Sequence, residues 1–293
     1  MNGELLSLVV RLHAAHVAAD IAARGDLLHA WFLRKSQQYN ATIGQQLHDH
    51  SSAVKPFTVS LLYSDETRSG DVEAVGAAAS SWFRITSLSP PVVAVLRWLA
   101  HTPPGSVMLG SYELEVAGTT LDAALHSWAA CGSYAEIADA MYRPFAGPVT
   151  LDFTTPTSFA NDRETILFPL PRAVFGGLIR KWNAYAPLPL APGLADKLLD
   201  AIRVCGHEIW SERVHYAKGD PGPGARKKLH PRLGFVGRCT FTVDGRAREA
   251  VGDVARGLAA FAFFAGIGAK TGMGMGQARM TGAPPADNIA DDY

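Results

Sequence analysis

The run Gly266-Ile-Gly-Ala-Lys-Thr-Gly-Met-Gly-Met-Gly276 decides between folds because of what stands on either side of it. Before it, Val251, Val254, Leu258, Phe261 and Ala265 recur at alternating steps of three and four, the spacing of a helix. After it, Gln277 to Met280 reads as a short strand. A dinucleotide fingerprint would follow a strand and open a helix, which is the reverse order. A Walker loop needs glycine directly before its lysine, and Ala269 holds that place. The five glycines still permit positive φ and close backbone approach, and successive N–H groups in such a loop can cradle phosphate oxygens. Gly266, Gly268, Gly272, Gly274 and Gly276, with the cation of Lys270 and the hydroxyl of Thr271, are therefore candidates for gripping a phosphate backbone.

Outward from this loop the chain reads as one pattern used twice. Leu5 to Ala14 alternates as a strand with Leu6, Leu8, Val10 and Leu12 on one face, and Asp26 to Gln37 follows as a helix. Phe57 to Tyr63 and Ser81 to Leu88 are strands, and Pro90-Pro91 opens an apolar helix through Ala100. A strand from Ser106 to Val116 completes a β-α-β-β-α-β order, and Leu121 to Met141 is expected as a bridging helix. The second round has a strand at Val149 to Phe153 and helices at Pro171 to Ala184 and Ala195 to Val204. Strands at Glu208 to Tyr216 and Gly234 to Val243 follow, the latter with Phe235, Cys239, Phe241 and Val243 on one side. The expected fold is α+β: two tandem ferredoxin-like (RRM-like, βαββαβ) domains over residues 1–145 and 146–283, then an acidic, disordered tail over 284–293.

Composition narrows the class further. With 48% hydrophobic and 18% charged residues, the chain can build a sizeable core. Its longest apolar run, near Leu258 to Ile267, is about half of the roughly 20 residues that a membrane span needs, so no membrane partner is expected. The opening residues show no secretion signal, and Cys131, Cys205 and Cys239 form neither a zinc pattern nor a disulfide framework, which fits a reduced, cytoplasmic setting. Net charge is zero, yet Arg203 to Arg248 holds ten Lys/Arg against four acids. That local excess attracts a phosphate backbone. Within it, Ala217 to Pro231 reads as a long hairpin loop carrying Arg226, Lys227 and Lys228.

Three stretches in order resemble one family. They are Leu47-His-Asp49 with Lys55-Pro-Phe-Thr-Val-Ser60; Leu151-Asp-Phe-Thr-Thr-Pro-Thr157 with Pro169-Leu-Pro-Arg-Ala-Val-Phe175; and Gly234-Phe-Val-Gly-Arg238 with the run from Phe261 through Gly276. Together they look like the Cas-six endoribonucleases of the RAMP superfamily of CRISPR systems. The resemblance implies cleavage of a CRISPR precursor transcript within each repeat, without a metal or other cofactor. The RNA's own 2′-hydroxyl would attack, leaving a 2′,3′-cyclic phosphate and a 5′-hydroxyl. Repeat RNA is the implied partner, and retention in an effector complex or as a homodimer stays open.

Such chemistry needs one proton removed, one proton given and positive charge near the phosphate. His48 matches the family's catalytic histidine, and Lys55 a lysine that assists in some members. Arg238 is the candidate for steadying the scissile phosphate or gripping its neighbour, and Arg226, Lys227 and Lys228 for holding the RNA backbone. A tyrosine that some members carry on the first helix is replaced by Leu33 in the best ungapped match. His29 and His50 are reserves; His29, among Leu28, Trp31 and Phe32, reads as a packing residue. Arg24 and Arg34 flank the first helix, and His207 and His215 lack partners at metal-ligand spacing, so no metal site is assigned. The competing class is a RAMP subunit that holds guide RNA without cutting it.

Overall fold

The computed structural model describes residues 5–13, 24–49, 54–64, 81–145, 147–160, 164–217 and 229–281. Strand β1 (Leu5–Leu12) turns Leu6, Leu8, Val10 and Leu12 into one core, as its alternation predicts. Helix α1 (Gly25–Tyr39) contributes Leu28, Trp31 and Phe32 to that core, and α2 (Ala41–His48) contributes Leu47. Next come β2 (Phe57–Val59), β3 (Tyr63–Ser64), β4 (Ser81–Ser87) and α3 (Pro90–His101), whose Val92, Val95, Leu96 and Leu99 close the layer. The hairpin of β5 (Ser106–Leu109) and β6 (Tyr112–Thr120) ends the first round. The sheet runs β2-β4-β1-β6-β5 with antiparallel neighbours, the order that a split β-α-β unit produces.

After β7 (Ala130–Gly132) and α4 (Tyr134–Ala140), the second round opens with β8 (Val149–Thr157) and the small hairpin β9 (Phe159–Ala160) and β10 (Thr165–Ile166). Helices α5 (Pro171–Tyr185) and α6 (Pro192–Ala201), strands β11 (Ile202–Ala217) and β12 (Leu229–Val243), helix α7 (Gly245–Ala265) and β13 (Ala278–Thr281) follow. Its sheet, β11-β12-β8-β13, repeats the antiparallel order of β2-β4-β1-β6. Phe235, Cys239, Phe241 and Val243 face the second core with Val251, Val254, Leu258, Phe261 and Ala265 of α7. The fold is thus the tandem ferredoxin-like α+β pair that the sequence predicts.

Several segments differ from expectation. Leu121 to Met141 is not one helix: turns and β7 come first, and α4 starts only at Tyr134. Trp128 and Ala129 are buried against Val9 and Trp82, and that packing overrides helical propensity. The strand expected from Ser106 to Val116 folds back at Gly110, where φ is +67°. The basic hairpin loop is shorter than its reading, since Ala217 pairs with Leu229 and Pro231 lies within β12. Proline is tolerated there because that end of β12 pairs with β11 alone. Arg226, Lys227, Lys228, His50 and the acidic tail lie outside the described residues.

The two halves lock through Arg84 of β4, which is wholly buried. Its guanidinium lies 4.4 Å from the ring centroids of both Trp128 and Phe263, and donates to Gln277 Oε1 and the Phe263 carbonyl, each at 2.7 Å. Thr86 Oγ1 beside it donates to the Phe264 carbonyl at 2.6 Å. Burial lowers the Arg84 pKa to about 9. A buried cation of this kind persists only where its donors are satisfied, and this one ties β4 to α7 and to the residue before β13.

Candidate active site

The site is built where α1, α2 and the glycine-rich loop meet. Asn40 caps α2 by accepting from the Ile43 N–H at 3.1 Å. Gly44 then lets α2 lie directly on α1, since a Cβ there would stand 2.5 Å from the Gln37 Cα. This close crossing carries His48, the exposed last residue of α2, to a cavity of about 470 Å³. His29, Arg34 and Gln37 of α1, and Met273 of the loop, line the same cavity.

Lys55 joins His48 from the next segment. Its Nζ donates to the carbonyls of Leu47 at 3.2 Å and Asp49 at 2.5 Å, the residues on either side of the histidine. The amine thereby satisfies carbonyls at the C-terminus of α2 and fixes the backbone that presents the imidazole. Burial lowers the Lys55 pKa, while the Asp49 carboxylate pulls it the other way. Tyr185 of α5 donates to the Val54 carbonyl, so the second half also holds this segment.

The glycine-rich loop is the joint between the halves. Its N–H groups at Ile267, Ala269, Gly274 and Gly276 donate to the carbonyls of Gly276, Ser158, Val59 and Pro156. Gly276 has φ +69°, and a Cβ there would meet the Ile267 carbonyl oxygen at 1.9 Å, so no other residue fits without rebuilding the turn. Gly266, Gly268 and Gly274 also have positive φ, and Lys270 is the one non-glycine residue that does among those described. Lys181, buried in α5, donates to the carbonyls of Ala265 and Gly266 at 2.5 and 3.1 Å and to Thr271 Oγ1 at 3.2 Å. Burial takes its pKa down to about 7. Gly272 packs against Phe57 and His29.

Cations gather on one side of this joint. Lys270 Nζ stands 5.3 Å from the Tyr216 ring centroid, and Tyr216 donates from its hydroxyl to the Met273 carbonyl at 2.9 Å. Burial lowers the Lys270 pKa, nearby Arg232 lowers it further, and Asp26 opposes both. Arg232 carries no motif of its own in the sequence; its register opposite Val214, two residues before Tyr216, is what places it here. Arg238 is elsewhere. It pairs with Glu208 and Asp152, eight residues along β12 from His230, the partner of Tyr216. At ~3.3 Å per residue that is about 26 Å along the strand. The structure sets Lys55 against the carbonyls on either side of His48, places His48 on a cavity that reaches Met273 of the glycine-rich loop, and keeps Arg238 apart.

His29 is the residue whose surroundings most outrun its sequence reading. It is half-buried, its ring stacks on Phe57 with centroids 5.7 Å apart, and its Nδ1 lies 2.8 Å from the Gly272 carbonyl. Spacing on α1 shows only that it neighbours apolar residues; the bond to a residue 243 positions away has no local signal.

Two split β-α-β units in tandem, with a glycine-rich turn after the final helix, define a double ferredoxin-like protein. The family model described as CRISPR-associated endoribonuclease Cas6 matches residues 151–278, and that of the CRISPR Cas6 N-terminal domain matches residues 5–139. The chain belongs to the Cas6 family. The CRISPR-associated endoribonucleases Cas6 of two Mycobacterium tuberculosis strains are each 31% identical to it over 146 residues, half of this chain. That match spans 42% of the length of those curated relatives. A Thermus thermophilus Cas6, solved as a product complex, superposes with a TM-score of 0.72 at 26% identity, covering 94% of this chain and 100% of the other. Another Cas6 product complex gives 0.73 at 24% identity over 95% and 99%, a likeness of fold.

Proposed function

We propose that this chain is an endoribonuclease that binds CRISPR repeat RNA and cuts the precursor transcript within each repeat, with no metal ion taking part. The 2′-hydroxyl beside the cut attacks the phosphorus, the 5′-oxygen leaves, and the products end in a 2′,3′-cyclic phosphate and a 5′-hydroxyl. His48 carries a proton in this exchange, because an imidazole can both accept and donate one. Lys55 holds His48 in place and supplies positive charge close to the reacting phosphate. Lys270 and Arg232 draw the RNA backbone toward the joint. Arg238, on the exposed face of β12, grips RNA away from the cut, and Arg226, Lys227 and Lys228 hold the RNA backbone.

One observation carries this reading: the Lys55 amine bonds the carbonyls on both sides of His48, at the edge of a cavity that reaches the glycine-rich loop. A subunit that only holds RNA needs no amine and imidazole fixed together in this way. The test is to incubate the purified chain with a repeat-containing transcript in EDTA and map the ends. One cut per repeat with a cyclic phosphate is expected. Binding without cutting, with or without magnesium, would leave a non-cleaving RAMP subunit; cutting only after magnesium is restored would overturn the metal-free mechanism.

A further inference from the structure

We propose that His29 is a second catalytic residue, the general base that takes the proton of the attacking 2′-hydroxyl, while His48 protonates the departing 5′-oxygen. The inference rests on the endoribonuclease reading above. In-line displacement at phosphorus needs an acceptor on the side of attack and a donor on the side of departure at the same moment. The two oxygens lie on opposite sides of the phosphorus, so one ring does not reach both. Here two imidazoles, from α1 and α2, line one cavity.

The bond made by His29 fits the role of base. The Gly272 carbonyl can only accept, so at 2.8 Å the proton sits on Nδ1 of His29. In the neutral ring Nε2 is then the nitrogen that can accept a proton. Phe57 stacks on the ring and fixes its plane, and the close packing of Gly272 against the same two rings keeps the carbonyl in register. A histidine that served only as core filling would be enclosed by apolar side chains, whereas this one is half-buried and borders the cavity. In the step itself the 2′-oxygen–phosphorus bond forms and the phosphorus–5′-oxygen bond breaks. The 2′ proton passes to His29 Nε2, a proton from His48 passes to the 5′-oxygen, and solvent exchange resets both rings.

The test uses single-turnover cleavage of two repeat RNAs, one natural and one with sulfur replacing the 5′-oxygen at the cut. A thiolate leaves without protonation, so that substrate forgives loss of an acid but not loss of a base. His29→Asn retains a donor where Nδ1 stood, and so keeps the loop bond without offering a base. We expect it to melt and bind RNA like the parent and to lose about a hundredfold or more in rate on both substrates. His48→Ala is expected to recover on the sulfur substrate. Wild-type cleavage of the natural RNA by His29→Asn would reduce the ring to a loop anchor, and recovery of His29→Asn on the sulfur substrate would make it the acid; either overturns the proposal. If instead the parent protein does not cut, it is the endoribonuclease reading that fails; full-rate cutting of the natural RNA by His48→Ala overturns the acid role given to His48.

Discussion

Substituting Gly44 by alanine tests whether helix crossing sets the chemistry. A Cβ at this position would lie 2.5 Å from the Gln37 Cα and 2.7 Å from its Cβ. Carbon atoms pack comfortably at about 3.5–4.0 Å, so α2 must move off α1 by about 1 Å or more. Overpacking of this kind costs about 1–3 kcal/mol. Alanine returns about 0.5–1 kcal/mol because glycine is a poor residue inside a helix. The net loss of stability is therefore small, from about zero to about 2.5 kcal/mol. The effect on rate is larger, since His48 rides on the displaced helix four residues on, and a misplacement of about 1 Å costs on the order of a hundredfold. The assay is single-turnover cleavage of repeat RNA beside a denaturant titration. Loss of rate with folding and RNA affinity preserved is expected. Full rate in a stably folded Gly44→Ala protein would refute the claim that this crossing positions the imidazole.

Other expectations follow from the same geometry. Arg84→Met should destabilise the protein by about 3 kcal/mol, because Gln277 Oε1 and the Phe263 carbonyl lose their buried donor; thermal denaturation measures it. Lys181, with a folded pKa of about 7 against 10.5, is neutral in the folded state while still charged in the unfolded chain between those values. Stability should therefore rise with pH across that window by at most about 1.4 kcal/mol per unit, with no further contribution from this group below it. Denaturant titrations across the window measure this slope, and Lys181→Met should remove it. The double substitution Lys227→Ala and Lys228→Ala should weaken RNA binding and flatten its salt dependence by about 0.7–0.9 for each phosphate that is no longer neutralised, with the cleavage rate of bound RNA unchanged.

Both sheets were legible in the sequence because their strands alternate and their helices keep a steady apolar stripe. Leu6, Leu8, Val10 and Leu12 in β1 and Val251 through Ala265 in α7 carry the signal locally. Helix α2 escapes the pattern because Gly44 breaks its propensity, although Asn40 is an ordinary N-cap signal. The start of α4 is written in the capping box of Ser133 and Glu136, which the apolar pattern upstream obscures. At the candidate site, motif resemblance singled out His48 and Lys55 as expectations. The surroundings of His29 come from a loop 243 residues away and those of Arg232 from the register of β12 on β11, and no local pattern encodes either.

The most direct test of the account is His48→Ala, followed by cleavage and RNA binding in one series. The account predicts that the variant folds, binds repeat RNA as tightly as the parent, and fails to cut it. Cleavage at the parent rate would contradict the central claim, and the site would then have to be sought away from α2.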